Sequence, residues 1–244
     1  MAQPAPNEIF QFSIVSALVD GVASHGIPIS ALLTHGDHGL GTFRNMVGEM
    51  IILDSSVYQM KSDGTIVPIT SPSEVITPFS VVTRFEPTQR IKAAFSCKAD
   101  IVKLLNEMFP SAKNHFLSIR MDGKFKKIYV RTAGGQECPG EGMIAITSRQ
   151  RTYKFEDVRG TIFGFRCPGY VMGINVAGEH MHFISDDRLK GGHVLGFDSF
   201  ETDGEVDVSV AMCSKFHMEL PTDDEEFNHA ALERDSEAIA AAEG

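Results

Sequence analysis

The segment from Gly178 to Val194, GEHMHFISDDRLKGGHV, constrains the fold more than any other stretch of the chain. It reads as a strand, a turn and a returning strand. Successive side chains of a strand point to opposite faces, so His180, His182 and Ile184 share one side while Met181 and Phe183 share the other. Gly191 and Gly192 are expected to close the turn, and His193 to open the return strand at a height where it meets the first pair. Three neutral imidazoles converging on one point make a metal centre with a coordination position left open, the arrangement of a catalytic zinc rather than a structural one. A single histidine on a polar hairpin is ordinarily a surface residue. An H-x-H pair followed within the same hairpin by a third histidine points to metal.

The rest of the chain carries the same β signature. Its 22 glycines and 11 prolines separate short apolar runs, which favours many strands and turns over long helices. Phe10, Ile14, Leu18 and Val22 recur at every fourth position and predict an amphipathic helix ending near Gly21 or Gly26. Residues 40–60 read as strand, turn, strand, with Asp54-Ser55-Ser56 at the turn, and Lys61-Ser62-Asp63-Gly64 turns into a strand over 65–68. A further strand is expected at 81–85, then a helix over 99–109 that stops before Pro110. Residues 116–120 and 125–131 predict a hairpin around Met121-Asp122-Gly123-Lys124. From Tyr153 onward the spacing is almost purely β: 160–165, 169–176, the histidine hairpin and 205–218. The tail from Asp223 suits a terminal helix or an extended arm. The expected class is α+β and β-rich: two packed mixed or antiparallel β-sheet halves with a few helices. The halves are residues 1–145 and 146–244, with a soft boundary near 140–150.

Composition excludes some functions. A formal net charge of −10 opposes nucleic acid, which needs clustered Lys and Arg, but not a small anionic substrate. No apolar run approaches the ~20 residues of a membrane span. The first residues, MAQPAPNE, lack the basic start and apolar core of a signal peptide. Cys97, Cys138, Cys167 and Cys213 lie far apart with no C-x-x-C pair, as in reduced thiols of an intracellular protein. A cytoplasmic protein with no membrane partner is expected.

Glu49 follows Gly48 in a strand that is otherwise apolar, so its carboxylate either faces solvent or is held for chemistry. Arg131 ends a strand ahead of a glycine-rich loop, where a guanidinium can orient a carboxylate. Together with GTF at 41–43, GEMIILD at 48–54, VYQ at 57–59, VRT at 130–132, GFRCPGY at 164–170, GINV at 173–176 and the hairpin HMHFISDDR with GGHVL, they give a chain that resembles the α-acetolactate decarboxylase family from about residue 10 to 235.

The resemblance implies a carbon–carbon lyase that converts 2-acetolactate to acetoin and carbon dioxide. It implies Zn2+ as cofactor, held by His180, His182 and His193 and chelating the ketone and hydroxyl oxygens so that the enediolate is stabilised. It also implies roles near the metal for Glu49, Arg131 and a tail glutamate, Glu237 with Glu233 as the runner-up, and a substrate contact for Thr42. A small-molecule substrate is the implied partner, and there is room for a homodimer. Two positions depart from the family pattern: Glu179 stands where an aromatic residue is expected, and Ala133-Gly134-Gly135 with Pro139-Gly140 replaces a more Pro-rich loop. Two other readings stay open on the residues alone. A cupin-like metal dioxygenase also uses H-x-H but expects a nearby Glu and a more distant third His. A non-enzymatic, metal-braced binding module leaves Glu49 and Arg131 without a role.

Overall fold

The computed structural model describes residues 5–195 and 200–232. In order, the strands are β1 (Glu8–Phe12), β2 (Ile27–Pro28), β3 (His38–Thr42), β4 (Glu49–Leu53), β5 (Ser56–Met60), β6 (Ile66–Pro68), β7 (Ile76–Thr77) and β8 (Ser80–Thr83). There follow β9 (Gln89–Ala93), β10 (Phe116–Thr132), β11 (Arg151–Cys167), β12 (Gly178–Ser185), β13 (Gly191–Val194), β14 (Phe200–Thr202), β15 (Val206–Cys213) and β16 (Lys215–Glu219). The helices are short: α1 (Val15–Val19), α2 (Ile29–Leu32), α3 (Lys98–Met108), α4 (Met143–Ser148) and α5 (Glu225–His229).

Apolar residues on both faces of a strand mean that it lies between two cores. β4 is the clearest case: Ile51 and Leu53 enter one apolar cluster, while Met50 and Ile52 enter another on the opposite face. The first sheet, ordered β16-β1-β8-β3-β4-β5-β6, is therefore a middle layer. On its outer side α2 contributes Ile29 and Leu32; on its inner side it packs on the second sheet. That second sheet closes on itself. β11 pairs with β12, β12 with β13, β13 with β10, and β10 again with β11, all antiparallel. Inside the ring Met181, Phe183, Ile128, Val130 and Phe125 pack with Phe200 into a third core. Strand-rich construction in more than one sheet is what composition and spacing predict.

Four local expectations are corrected. The predicted helix over residues 10–22 is β1 followed by the short α1. Ser13 sits at φ 63° and ends the strand, and β1 buries both faces, so its spacing does not show alternation. Gln11, buried within it, donates to the carbonyls of Ser13 and Ile174 and accepts from Asn175. The predicted hairpin at 121–124 is an uninterrupted stretch of β10, 17 residues long. Asp122 and Gly123 pair with Thr161 and Gly160 of β11. Gly123 is there for close approach: a Cβ on it would lie 2.3 Å from Cγ1 of Val206. Residues 169–176 form a 3-10 turn at Gly169–Val171 and a bridged loop instead of a strand. Residues 205–218 divide between β15 in the second sheet and β16, which runs parallel to β1 in the first.

The boundary between the sheets does not coincide with residues 140–150. β9 and β10 precede that point and belong to the second sheet, while β16 returns to the first. No helix among the described residues is long and apolar enough to cross a membrane.

Close approach at Gly123 predicts a paired effect. Gly123→Ala is expected to cost about 1–3 kcal/mol of stability in denaturant unfolding. Adding Val206→Ala, which removes the obstructing methyl groups, recovers part of that loss. Two independent, additive losses would show that the two residues do not touch.

Candidate metal centre

Strand register alone aligns the centre. Residues directly opposite on neighbouring strands lie on one face of a sheet. His182 of β12 pairs with His193 of β13, and His193 pairs with Arg131 of β10. His180 lies two residues before His182 on the same face. That face looks outward from the closed ring, onto the first sheet, whereas Met181 and Phe183 point into the ring. The turn that brings β13 back is Asp186-Asp187-Arg188-Leu189, closed by the Ser185 amide donating to the Lys190 carbonyl. Gly191 and Gly192, expected at the turn, instead open β13. A Cβ on Gly192 would meet the Arg131 carbonyl at 2.6 Å, so the missing side chain lets β10 come within pairing distance.

The three imidazoles are buried, with ring centroids 4.9 to 5.3 Å apart, and one nitrogen from each falls within 4.8 Å of the other two. Nδ1 of His182 lies 2.6 Å from the carbonyl of Met50 on β4. A carbonyl only accepts, so Nδ1 carries the proton and Nε2 keeps its lone pair. Burial holds the His180 pKa down to about 3, and the positive charges of Arg131 and Lys98 push it the same way. Burial, then Arg131 and the two other histidines, keeps His193 well below its usual value. His180 and His193 are therefore neutral at ordinary pH, which is the form that binds a metal ion. Among the described residues the cluster has no carboxylate member. Three buried imidazole donors on rigid strands suit a dication that keeps a coordination position open.

Glu49 and Arg131 meet here from opposite sheets. Glu49 is buried rather than solvent-facing; its Oε1 accepts from the Ala133 amide at 3.3 Å and lies 3.8 Å from Nη1 of Arg131. Its Oε2 is 3.7 Å from Nε2 of His182. Thr42 pairs with Glu49 across the sheet, and its hydroxyl donates to the Gly48 carbonyl at 2.8 Å, bracing the entry to β4. Thr42, Glu49, Arg131, Ala133, His180 and His182 line one cavity, walled by Leu18, Met46, Phe79, Met143 and Ile146.

Glu237 and Glu233 lie outside the described residues. Asp187 is a turn residue, accepting from the Ser185 hydroxyl and the Leu189 amide. His35 stacks on Phe10 away from the cavity, and His38 is buried between Asp37 and Arg120. Glu179 is held by Arg166 at 3.0 Å. Sequence reasoning missed the wall supplied by α4, the charge of Lys98 and the Met50 carbonyl. Met143 and Ile146 have helical spacing that marks α4 in retrospect. A backbone carbonyl leaves no trace in a sequence.

Comparison with known proteins gives the centre its context. Fold and site together define a strand-rich protein with a buried three-histidine centre beside an acid and a guanidinium. A family model described as alpha-acetolactate decarboxylase matches residues 9–234. Curated relatives of that name include one from Methanosarcina mazei, 38% identical over 225 residues, covering 92% of this chain and 76% of the relative. Another from Bacillus subtilis is 39% identical over 224 residues, covering 91% and 85%. The crystal structure of alpha-acetolactate decarboxylase from Bacillus subtilis strain 168 superposes with a TM-score of 0.90 at 35% identity, covering 97% of this chain and 99% of that one. The chain belongs to the alpha-acetolactate decarboxylase family, and it is an enzyme of the carboxy-lyase class.

The depressed histidine pKa values make a stability prediction. Unfolded, His180 and His193 return to about 6.5 and bind protons that the folded chain refuses. Stability of the metal-free protein is therefore full above that value and falls as pH drops through it. Thermal midpoints of metal-free protein are expected to decline steadily from neutral pH to about pH 5, and His180→Asn to flatten the slope. A slope unchanged by that substitution would count against burial as the cause.

Proposed function

We propose that the chain decarboxylates 2-acetolactate to acetoin and carbon dioxide at a zinc ion held by His180, His182 and His193. The observation that carries this reading is the cluster of three buried imidazoles, two of them lining the same cavity as Glu49 and Arg131. Zinc, when bound, would supply Lewis acidity for the electron density released as the carbon–carbon bond breaks.

The residues divide the remaining work. Arg131 orients the substrate carboxylate. A tight clamp would oppose reaction, because the carboxylate loses its charge on becoming carbon dioxide. Arg131 shares its charge with Glu49, which tempers its grip and suits orientation and proton relay. Glu49 handles proton transfer to the reacting carbon. The Ala133 amide holds one of its oxygens, so the other is directed at the metal face, and delivery from one side sets the configuration of acetoin. Leu18, Met46, Phe79, Met143 and Ile146 exclude bulk water, which protects that stereochemistry and strengthens the charges within. Thr42 keeps Glu49 in position and presents its side chain to the substrate. A tail glutamate, Glu237 or else Glu233, completes the proton-transfer set. The four cysteines are free, which suits a reducing, cytoplasmic setting.

Metal analysis combined with acetoin detection on added acetolactate tests the reading. His193→Ala is expected to lose metal and product together. Glu49→Gln keeps its metal and loses about 10²–10⁴-fold in turnover. Metal loss in Glu49→Gln would make that residue a ligand instead. Oxygen consumption without acetoin would favour a dioxygenase, and metal without any product a binding module.

A further inference from the structure

Around the closed second sheet, one lateral row of residues returns to the strand it starts from. Arg120 of β10 pairs with Phe163 of β11, and Phe163 with His182 of β12. His182 pairs with His193 of β13, and His193 with Arg131, again on β10. Residues directly opposite one another share a face, so all five look onto the first sheet. Arg120 therefore belongs to the row that carries the candidate ligands. It lies two strands from His182, or about 10 Å at ~4.8 Å per strand.

There Arg120 meets His38 of β3. Nη1 of Arg120 donates to Nε2 of His38 at 2.9 Å, and Nδ1 of His38 lies 2.8 Å from Oδ1 of Asp37. A carboxylate accepts, so Nδ1 carries the proton and Nε2 takes the bond from the guanidinium. Nε and Nη2 of Arg120 donate to Asp122 at 2.8 and 3.1 Å, and Nη1 also reaches Asp54 at 3.2 Å. Asp122 accepts in addition from the Thr161 hydroxyl, and Asp37 from the Phe85 amide. His38 is buried between the rings of Phe85 and Phe163, whose centroids lie 5.3 and 5.2 Å from its own.

We propose that His38 is a positioning residue: with Arg120 it fixes the angle of the first sheet over the second, and so the place of Glu49 against Arg131 and His182. The purpose of the tie rests on the reaction proposed above; the tie itself does not. Three directional bonds between the sheets cluster at the Glu49 end. They join His182 to the Met50 carbonyl, the Gly48 amide to the Ala133 carbonyl and the Tyr153 hydroxyl to the Ser62 carbonyl. Bonds set close together fix a point but resist rotation weakly, because resistance grows with the distance between them. The His38–Arg120 bond supplies that distance. His38 opens β3 three residues before Gly41, which pairs with Met50, and strand geometry puts it about 11 Å away. Glu49 and Arg131 stand on opposite sheets 3.8 Å apart, so a rotation that moves either by about 1 Å changes their contact.

Stability alone does not call for such a pair. Exchanging buried polar partners for apolar residues of similar shape is often neutral, since two desolvation costs leave together with the bond. What the polar pair adds is direction, and that makes the two roles separable.

The test is His38→Leu combined with Arg120→Met in the full, metal-loaded chain. Asp122 keeps Thr161, Asp37 keeps the Phe85 amide and Asp54 is exposed, so no buried charge is stranded. Metal content is expected to stay unchanged and the thermal midpoint to remain within a few degrees of the parent. Turnover falls about tenfold while KM changes less than about twofold. His38→Gln, whose side-chain carbonyl accepts from Arg120, retains most of the turnover. A second readout is independent of activity. In metal-free protein the Nδ1 proton of His182, held on the Met50 carbonyl, is expected as a slowly exchanging imidazole resonance, and the double variant exchanges it about tenfold faster. Parental turnover together with parental exchange in the double variant overturns the proposal. So does a fall in turnover that comes with metal loss or a large drop in thermal midpoint, which would make the pair merely structural. A His38→Gln variant as slow as the double variant overturns it as well. A parent that makes no acetoin defeats the proposed reaction instead, and proton exchange then decides the tie alone: a parental rate in the double variant overturns it.

Discussion

A hydrogen bond joins the two sheets beside the three-histidine cluster. The imidazole of His182, on the closed second sheet, donates to the carbonyl of Met50, on the first. It fixes the ring's orientation and leaves the opposite nitrogen available to a metal. It also uses a carbonyl at the middle layer, where a neighbouring residue, Glu49, turns its side chain toward the same place. A shift of the sheets against each other would disturb the His182 tautomer and the Glu49–His182 geometry together. Rigid elements on both sides make the arrangement precise in a way that loops would not.

Burial accounts for the electrostatic character of the site. An isolated imidazolium would be costly in this environment, and the nearby positive charges add to the cost, so His180 and His193 stay neutral. The same burial would make an uncompensated carboxylate or guanidinium expensive, and Glu49 and Arg131 lie close enough to offset one another. Each group is thus held in a form suited to the proposed reaction: neutral donors for a dication, a carboxylate for proton transfer, a shared positive charge for a substrate anion. The apolar wall contributed by α1, α4 and the residues around Met46 is what keeps these interactions away from bulk water.

How far each feature was legible depends on the range of the interaction that makes it. The histidine pair on β12 follows from a two-residue period, and the turn at Asp54 to Ser56 from local backbone preference; both are short-range and both appear as read. Failures came where one residue type serves two purposes. Asp122-Gly123 has the composition of a tight turn, but the glycine is required because Val206, 83 positions away in the chain, packs against it. Gly191 and Gly192 look like the turn of the histidine hairpin and are in fact the place where β10 approaches β13. The spacing of Phe10 to Val22 imitates a helix because β1 is buried on both faces.

The sequence by itself determined that the chain is strand-rich, that His180, His182 and His193 belong to one centre, and which family's motifs surround them, because periodicity and motif spacing are properties of neighbouring residues. Only the tertiary structure decided that Glu49 is buried, that it meets Arg131 from the other sheet, and that a backbone carbonyl of β4 orients His182. Those relations depend on how two sheets pack across 82 residues of chain between Glu49 and Arg131 and 132 between Met50 and His182, and no local pattern records the distance between atoms brought together that way.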